Sequence, residues 1–174
     1  MPKKLGKEFF AHSAEKVAKE LLGKVLNTNG KRARIVETEA YYGKEDPASK
    51  ASKGNGDLSK TMAMSPGTIL VYGVHNNWLV NFVTGKEGEA EAVLLRALEP
   101  LNFEGRCNGP GLLTNVLNIK KNLHKKDLSE IDEIFIEDNE EKFEIQQSFR
   151  IGVSKDLPKK LRFYIKGNKH VSKK

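Results

Sequence analysis

The sequence predicts a mixed α+β fold in a single domain spanning residues 1–174. Strand-like and helix-like segments do not alternate regularly along the chain, which argues against a doubly wound α/β fold. Helical periodicity is confined to two short stretches, whereas period-two alternation and short apolar runs recur throughout. A length of 174 residues fits one domain with its own hydrophobic core.

The first elements are a helix and a hairpin. Ser13 has a side chain suited to cap a helix, and apolar residues on one face continue this helix to about Leu22. A short strand follows at residues 24–27, and Asn29-Gly30 is a strong hairpin turn signal. The next strand covers residues 31–41. Its period-two alternation places four side chains on one face, namely Ile35, Glu37, Glu39 and Tyr41.

The middle of the chain combines an irregular segment with a second hairpin. Residues 43–67 hold several Gly and Pro residues, and a loop of this length is typical of a functional segment. Residues 68–72 and 78–84 then predict two strands joined by residues 73–77. The turn is expected to take positive φ at Gly73, Asn76 or Asn77.

The last part predicts one buried strand, one helix and three short strands. Residues 92–98 form a nearly continuous apolar run that only Arg96 interrupts, as expected of a buried strand. A helix begins at the Asn-Gly-Pro-Gly stretch of residues 108–111 and continues to about Leu117. The three later strands are predicted near residues 134–136, 149–153 and 161–165.

The charge points to a polyanionic partner. Thirty Lys and Arg residues against 23 Asp and Glu residues give a net charge of +7, and the isoelectric point is near 9.4. This balance is typical of proteins that bind nucleic acid or membrane surfaces, although a Lys- and Glu-rich surface is also common in proteins from organisms that grow hot. The sequence has no apolar stretch of 18 residues and no signal-peptide core at its start, so we expect a soluble intracellular protein.

Three features could carry chemistry, and each also has an ordinary structural explanation. Glu37 and Glu39 facing an apolar pocket would repel each other, and desolvation would raise the pKa of at least one toward use as a general base or general acid; alternatively they are solvated charges on an edge strand. Arg96 in a buried strand must be paired, either in a structural bridge to these glutamates or in a functional contact. His75 at the hairpin tip is either a wedge for nucleic acid or part of an ordinary surface turn.

Metal and redox chemistry are not indicated. The four histidines are scattered without ligand spacing, and the single cysteine, Cys107, excludes an internal disulfide and a cysteine-based zinc cluster. Cys107 lies beside Arg106, which would activate its thiol somewhat, but a structural cysteine is the better explanation. A small RNA-binding domain would fit the composition, yet no RNP-type or KH motif is present. No cofactor is therefore expected.

Several motifs together resemble the alkyladenine (3-methyladenine) DNA glycosylase family, the purine DNA glycosylases that lack a helix-hairpin-helix motif. The resemblance extends from about Leu5 to Ser172. The motifs that carry it are Leu5–Phe10, Arg34–Tyr41, Pro66–Thr68, Val71-Tyr72, Val93–Pro100, Asn108–Pro110 and Leu161–Tyr164.

The resemblance implies a curved antiparallel sheet with peripheral helices and a protruding β-hairpin that inserts into double-stranded DNA. It implies a monofunctional enzyme that flips out a damaged purine, such as 3-methyladenine or hypoxanthine, and hydrolyses its N-glycosidic bond to begin base excision repair. A monomer without membrane attachment is expected, nucleoid-associated in the cytoplasm of a prokaryote or in the nucleus of a eukaryote.

The resemblance also implies roles for particular residues. Glu39 matches the base that activates water, and Arg96 matches an arginine that helps to hold this water. The base pocket would comprise two aromatic walls, Tyr41 and Tyr72, together with Asn81, which screens purines by their 2-amino group. At the hairpin tip, His75 stands where the family usually has an intercalating tyrosine, beside Asn76 and Asn77, in a stretch that is one residue shorter than usual.

Two departures from the family pattern concern the pocket. Lys50 stands where a pocket histidine is expected, and the Arg-Asn pair that usually follows is missing from residues 55–60. An alternative function is therefore a non-catalytic or weakly catalytic protein of the same fold that binds damaged DNA. Retention of Glu39 and Arg96 favours the enzyme.

Overall fold

A computed structural model describes residues 3–54 and 56–173. Within these ranges, eight strands form one sheet, and four helices and three short 3₁₀ turns, at Lys50–Ser52, Lys121–Leu123 and Leu128–Glu130, surround it. The helices are α1 (Lys7–Phe10), α2 (Ala14–Leu21), α3 (Asp57–Met62) and α4 (Pro110–Leu117). The strands are β1 (Val25–Thr28), β2 (Lys31–Tyr41), β3 (Ile69–Val74), β4 (Asn77–Thr84), β5 (Glu91–Pro100), β6 (Ile134–Glu137), β7 (Ile145–Ser148) and β8 (Arg162–Ile165).

The sheet is antiparallel throughout and curled, which confirms the predicted α+β class. Its main order is β3-β4-β5-β2-β1-β6, and β8 pairs with β2 on one side and β7 on the other. Helix α2 packs on β2 and β5, and α4 packs on β4 and β5. The main core lies where these helices meet the sheet, and no helix of the described residues is long and apolar enough to cross a bilayer.

Strand β2 is the centre of the sheet. One of its edges pairs with β5, and its other edge pairs first with β1 and then, at Glu37 to Glu39, with β8. Both glutamates have an exposure of 0%. The alternative of solvated charges on an edge strand is therefore wrong.

A β-bulge interrupts the alternation that the sequence predicted along β2. The pairing of β2 with β5 shifts by one residue between Ile35 and Glu37 and shifts back between Glu37 and Thr38. Ile35 belongs to the main apolar core, whereas Glu37 and Glu39 contact charged groups. Bulges bend a strand and redirect side chains. The predicted strict alternation of side chains between the two faces of β2 is therefore interrupted at Glu37.

Helix α2 and the hairpin of β1 and β2 agree with the sequence prediction. The Ser13 hydroxyl accepts a hydrogen bond from the backbone N–H of Lys16 at 3.2 Å, which caps α2. The Thr38 hydroxyl donates to the carbonyl of Ala18 at 2.8 Å and ties α2 to β2. Asn29 and Gly30 have φ values of 52° and 76°, as a two-residue hairpin turn between β1 and β2 requires.

The second hairpin is tighter than predicted. Val74 pairs with Asn77, which leaves a turn of only His75 and Asn76, with φ values of 50° and 65°. The positive φ expected at Gly73, Asn76 or Asn77 is found at Asn76, while Gly73 and Asn77 lie within paired strands. Two consecutive positive φ values match the right-handed twist of the flanking strands, so the tight turn is favoured.

The last third of the chain contains the main error of the sequence prediction. Helix α4 begins at Pro110 as expected, and β6 and β8 lie close to two of the predicted strands. The strand expected at residues 149–153 is wrong, since the strand here is β7 and residues 149–153 form a loop. The backbone of this loop is held by side chains of the site described below instead of by a neighbouring strand.

Helix α4 packs against the second hairpin. The Thr114 hydroxyl donates to the carbonyl of Trp78 at 2.6 Å. A Cβ atom placed on Gly111 would lie 2.7 Å from the Cβ of Asn77, which is closer than two such atoms can approach. Only glycine at this position therefore allows the helix and the hairpin to touch.

Replacing Gly111 with Ala is expected to destabilise the protein by about 1–3 kcal/mol, because hairpin and helix must move apart. Urea denaturation measures this cost. Gly6→Ala is the matched control, since a Cβ on Gly6 meets nothing within 4 Å. Equal stability of the two variants would show that the hairpin yields to the added methyl group without cost.

Candidate active site

A cavity of about 460 Å³ opens beside the second hairpin. Its walls come from the segment after β2, from the hairpin, from β5, from the start of α4 and from the loop at residues 151–154. This volume lies within the range of small-molecule pockets. The side chains that matter below are Tyr41, Lys50, Tyr72, His75, Arg96 and Ile151.

Glu39 lies directly behind the wall of this cavity. Its Oε1 accepts a hydrogen bond from the hydroxyl of Tyr41 at 2.8 Å, and its Oε2 accepts one from the backbone N–H of Ile151 at 2.7 Å. The Nη1 of Arg96 lies 3.5 Å from Oε1. All three partners line the cavity, so the carboxylate is fixed in direction by groups that would also touch a bound molecule.

The surroundings favour Glu39 as a base. Burial raises the pKa of the Glu39 carboxyl above its usual value, and Arg96, the Ile151 N–H and the Tyr41 hydroxyl oppose this rise. Burial and the charge of Glu39 raise the pKa of Tyr41 well above its usual value, so this hydroxyl stays protonated and donates to Glu39. A carboxylate with a raised pKa accepts a proton more readily than one in water.

Arg96 contacts both glutamates of β2. Its Nε lies 3.3 Å from Oε2 of Glu37, and its Nη1 reaches Glu39. The arginine also lines the cavity. The structural bridge that the sequence left open is therefore present, while a functional contact of Arg96 stays a prediction.

Tyr72 and Lys50 line both the cavity and a small recess, and Asn81 borders the recess. The ammonium of Lys50 is 5.3 Å from the ring centre of Tyr72, within range of a cation–π contact. Burial and the charge of Glu39 raise the pKa of Tyr72 to about 12. Asn81 is buried, donates to the carbonyl of Leu70 at 3.2 Å and borders a small recess that Tyr41, Lys50 and Tyr72 also line.

The hairpin tip is exposed at the mouth of the cavity. His75, Asn76 and Asn77 are exposed, and His75 and Asn77 also line the cavity. The amide of Asn77 donates to the carbonyl of His75 at 3.1 Å, which stiffens the tip. Of the residues to which the resemblance gave roles, six line the cavity, namely Tyr41, Lys50, Tyr72, His75, Asn77 and Arg96. Glu39 contacts two of these, Asn81 borders the adjoining recess, and Asn76 is next to His75 and Asn77 in the hairpin.

Sequence reasoning missed a second buried arginine. The guanidinium of Arg150 is fully buried and binds Asp46 through two hydrogen bonds of 2.7 and 2.8 Å. It also donates to Asp156 at 3.0 Å and to the carbonyl of Ala40 at 3.0 Å. The sequence signal for this residue is an arginine between apolar neighbours, as at Arg96, although the apolar stretch around Arg150 is shorter.

Arg150 joins the two loops that form the cavity. Asp46 accepts hydrogen bonds from the backbone N–H groups of Tyr42 and Ala48 at 2.9 and 3.1 Å, so it orders the segment that leads to Lys50. On the other side, Arg150 is next to Ile151, whose N–H reaches Glu39. Burial alone would raise the pKa of Asp46, but the hydrogen bonds from Arg150 and the backbone lower it below its usual value.

The other groups considered from the sequence are metal-ligand clusters and Cys107. No group of three or more His, Cys, Asp or Glu side chains is placed to hold a metal ion among residues 3–54 and 56–173. Cys107 is buried, and burial raises the pKa of its thiol. The structural interpretation of Cys107 therefore holds, and the activated thiol does not.

Comparison with known proteins gives consistent matches over nearly the whole chain. Residues 8–169 match the family model described as Methylpurine-DNA glycosylase (MPG). Three similar proteins each bear the name "Putative 3-methyladenine DNA glycosylase". The one from Aeropyrum pernix is 40% identical and covers 99% of this chain and 95% of its own length. Those from Legionella pneumophila (strain Corby) and Clostridium tetani are 42% and 38% identical, with 98% of this chain covered and 99% and 100% of their own lengths.

Proposed function

The chain belongs to the methylpurine-DNA glycosylase family and is a DNA glycosylase, and we propose that it removes damaged purines from duplex DNA by water that Glu39 activates. The observation that carries the proposal is the fixed position of this buried carboxylate. Three groups that line a cavity of about 460 Å³ also contact Glu39. A molecule in this cavity would therefore lie against groups that hold a preorganised carboxylate directly behind them.

The chemistry requires that the target nucleotide leave the helix, because a carboxylate and water cannot reach a stacked base. The rings of Tyr41 and Tyr72 would receive the flipped base, and stacking contributes about 1–3 kcal/mol per base. The exposed tip at His75 would fill the gap left in the duplex. Tyr41 touches both the cavity and Glu39, so the same ring would bind the base and orient the carboxylate.

Hydrolysis then needs only groups that this chain supplies. As the bond from C1′ to the base nitrogen breaks, positive charge develops on the sugar, and the charge of Glu39 stabilises it. Glu39 accepts a proton from the water whose oxygen bonds to C1′, with Arg96 beside it. The electron pair of the broken bond stays on the base nitrogen, so a cationic methylated purine leaves as a neutral base, whereas hypoxanthine leaves as an anion that takes up a proton from solvent. An abasic site remains in the DNA.

The proposal is tested with duplex oligonucleotides that carry one 7-methylguanine or one hypoxanthine. Incubation with the protein, alkaline cleavage at abasic sites and a denaturing gel measure excision, with an undamaged duplex as the control. Excision of at least one lesion is expected. Tight binding of damaged duplex without any cleavage would instead favour the non-catalytic alternative.

Lys50 is expected to set the order of substrates. A methylated purine such as 7-methylguanine carries positive charge, and the Lys50 ammonium in the pocket would repel it by about 1 kcal/mol or more. Hypoxanthine is neutral and avoids this cost. Lys50→His is therefore expected to increase 7-methylguanine excision relative to hypoxanthine excision by about fivefold, the factor that corresponds to 1 kcal/mol. Single-turnover rate constants for the two duplexes near pH 7.5 give this ratio.

Lys53→His is the matched control for this substitution. Lys53 also lines the cavity, but its ammonium is bound to the carbonyl of Pro47 at 3.1 Å instead of lying over Tyr72. We expect its ratio to stay within about twofold of that of the unaltered protein. A ratio that Lys50→His leaves unchanged would contradict the role assigned to Lys50.

A further inference from the structure

Glu37 has no part in the chemistry above, yet it is a buried carboxylate with several partners next to the site. It accepts hydrogen bonds from Nη1 of Arg162 at 2.9 Å, from the backbone N–H of Ser172 at 2.6 Å and from the Ser172 hydroxyl at 2.9 Å. The Nε of Arg96 lies 3.3 Å from the same carboxylate. Its exposure is 0%.

Arg96 is divided between the two glutamates. Its Nε faces Glu37 and its Nη1 faces Glu39, so one planar guanidinium spans both carboxylates. The Nε–H makes no aligned hydrogen bond, which marks its contact with Glu37 as an ion pair. The position of Glu37 therefore determines where the charge of Arg96 lies relative to Glu39.

The groups around Glu37 are themselves held by ion pairs and hydrogen bonds. Two arginines, Arg96 and Arg162, balance the charges of the two buried glutamates. Arg162 is itself fixed, because it donates to the carbonyls of Phe149 at 3.1 Å and Lys173 at 2.8 Å. The segment at Ser172 and Lys173 thus closes the polar cluster behind the cavity.

We propose that Glu37 is a positioning residue that shares Arg96 with Glu39, and that Arg162 and Ser172 hold Glu37 in this role. The proposal rests on the proposed function, in which Glu39 is the base. Without the carboxylate of Glu37, Arg96 would pair with Glu39 alone and make it a weaker base.

The electrostatic consequence has a definite sign. The groups that face Glu39 are Tyr41 from β2, Tyr72 from β3, Arg96 from β5, the N–H of Ile151 and, along β2, Glu37. Burial raises the pKa of Glu39 most, Arg96 lowers it, and the charge of Glu37 raises it. Removing the charge of Glu37 and concentrating Arg96 on Glu39 both act to lower the pKa of Glu39.

Glu37→Gln tests this proposal through the dependence of excision on pH. The test uses single-turnover excision of 7-methylguanine, since this base is already cationic and needs no acid, so that the acidic limb reports the base alone. We expect the midpoint of this limb to fall by about half a pH unit or more. The matched control is Glu137→Gln on β6, which removes the ion pair between Glu137 and Arg32. This variant should leave the midpoint of the acidic limb unchanged.

A second measurement needs no substrate. The ¹³C NMR signal of the Glu39 carboxyl carbon, assigned by its loss in Glu39→Gln, should titrate at lower pH in Glu37→Gln than in the unaltered protein. Glu37→Asp keeps the charge and should restore the midpoint of both titrations. Because NMR reports the carboxyl itself, failure of this proposal is distinguishable from failure of the excision chemistry.

Three outcomes would overturn the proposal. One is an unchanged midpoint in Glu37→Gln by both methods. Another is a loss of excision as complete as that of Glu39→Gln, which would make Glu37 a reacting group. If Glu37→Gln does not fold, Ser172→Ala is tested in its place. We expect this variant to lose about threefold in single-turnover rate constant and to keep its affinity for DNA. An unchanged rate constant in Ser172→Ala is the third overturning result.

Discussion

Glu39→Gln is expected to lower the single-turnover rate constant for excision by about 10³-fold, within the range that general-base catalysis contributes. Glutamine keeps the size of the side chain and an oxygen that accepts a hydrogen bond from Tyr41, but it cannot take a proton from water. It also lacks the negative charge that stabilises the developing cation on the sugar. Affinity for lesion-containing duplex is expected to change little, because Glu39 lies behind the cavity wall.

The matched control is again a Glu→Gln change at an ion-paired position away from the site. Glu137 accepts hydrogen bonds from Arg32 and Asn27 at 3.0 Å and lies on β6. Its replacement should leave the excision rate within about twofold of the original, since Glu137 does not line the cavity and its hydrogen bonds go to Arg32 and Asn27. Retention of more than about a tenth of the activity in Glu39→Gln would rule out Glu39 as the base, given the contribution that general bases make.

Arg150→Met is expected to have the largest effect on stability, about 3–5 kcal/mol, the cost of breaking a buried ion pair by removing one partner. The change leaves Asp46 buried without a countercharge and frees both cavity loops. Excision should fall as well, because Ile151 would no longer be held against Glu39. Urea denaturation near pH 7 measures the free energy of unfolding.

Arg32→Met provides the comparison for this variant. Arg32 has an ion pair with Glu137 at 3.0 Å, but 45% of its side chain is exposed. Its replacement should cost less than about 1 kcal/mol. Similar losses in the two variants would contradict the special role assigned to the buried contact between Arg150 and Asp46.

The cost of Arg150→Met is also expected to depend on pH. The pKa of Asp46 in the folded protein lies below its usual value, so this pair contributes stability above the pKa of an unfolded Asp and loses it as pH falls through the folded value. In the variant, burial without Arg150 raises the pKa of Asp46. The difference between the two proteins should therefore be largest near pH 7 and shrink below about pH 4.

Local patterns were sufficient for most of the fold. Capping at Ser13, the Asn29-Gly30 turn, the long strand β2 and the helix that begins at Pro110 all follow from backbone preferences and periodicity over a few residues. The helix α3 inside the irregular segment was missed because its six residues carry no clear apolar face. The loop at residues 149–153 was mistaken for a strand because apolar alternation there resembles a strand.

The sequence by itself determined the fold class, the family resemblance and the residues that gather at the cavity, including Glu39, Arg96 and Tyr72. Only the tertiary structure decided how these groups are charged and held. Arg96 is shared between two carboxylates, and Arg150 binds loops that are 104 residues apart in sequence. Burial and ion pairing depend on distances between segments far apart in the chain, and no local pattern encodes those distances.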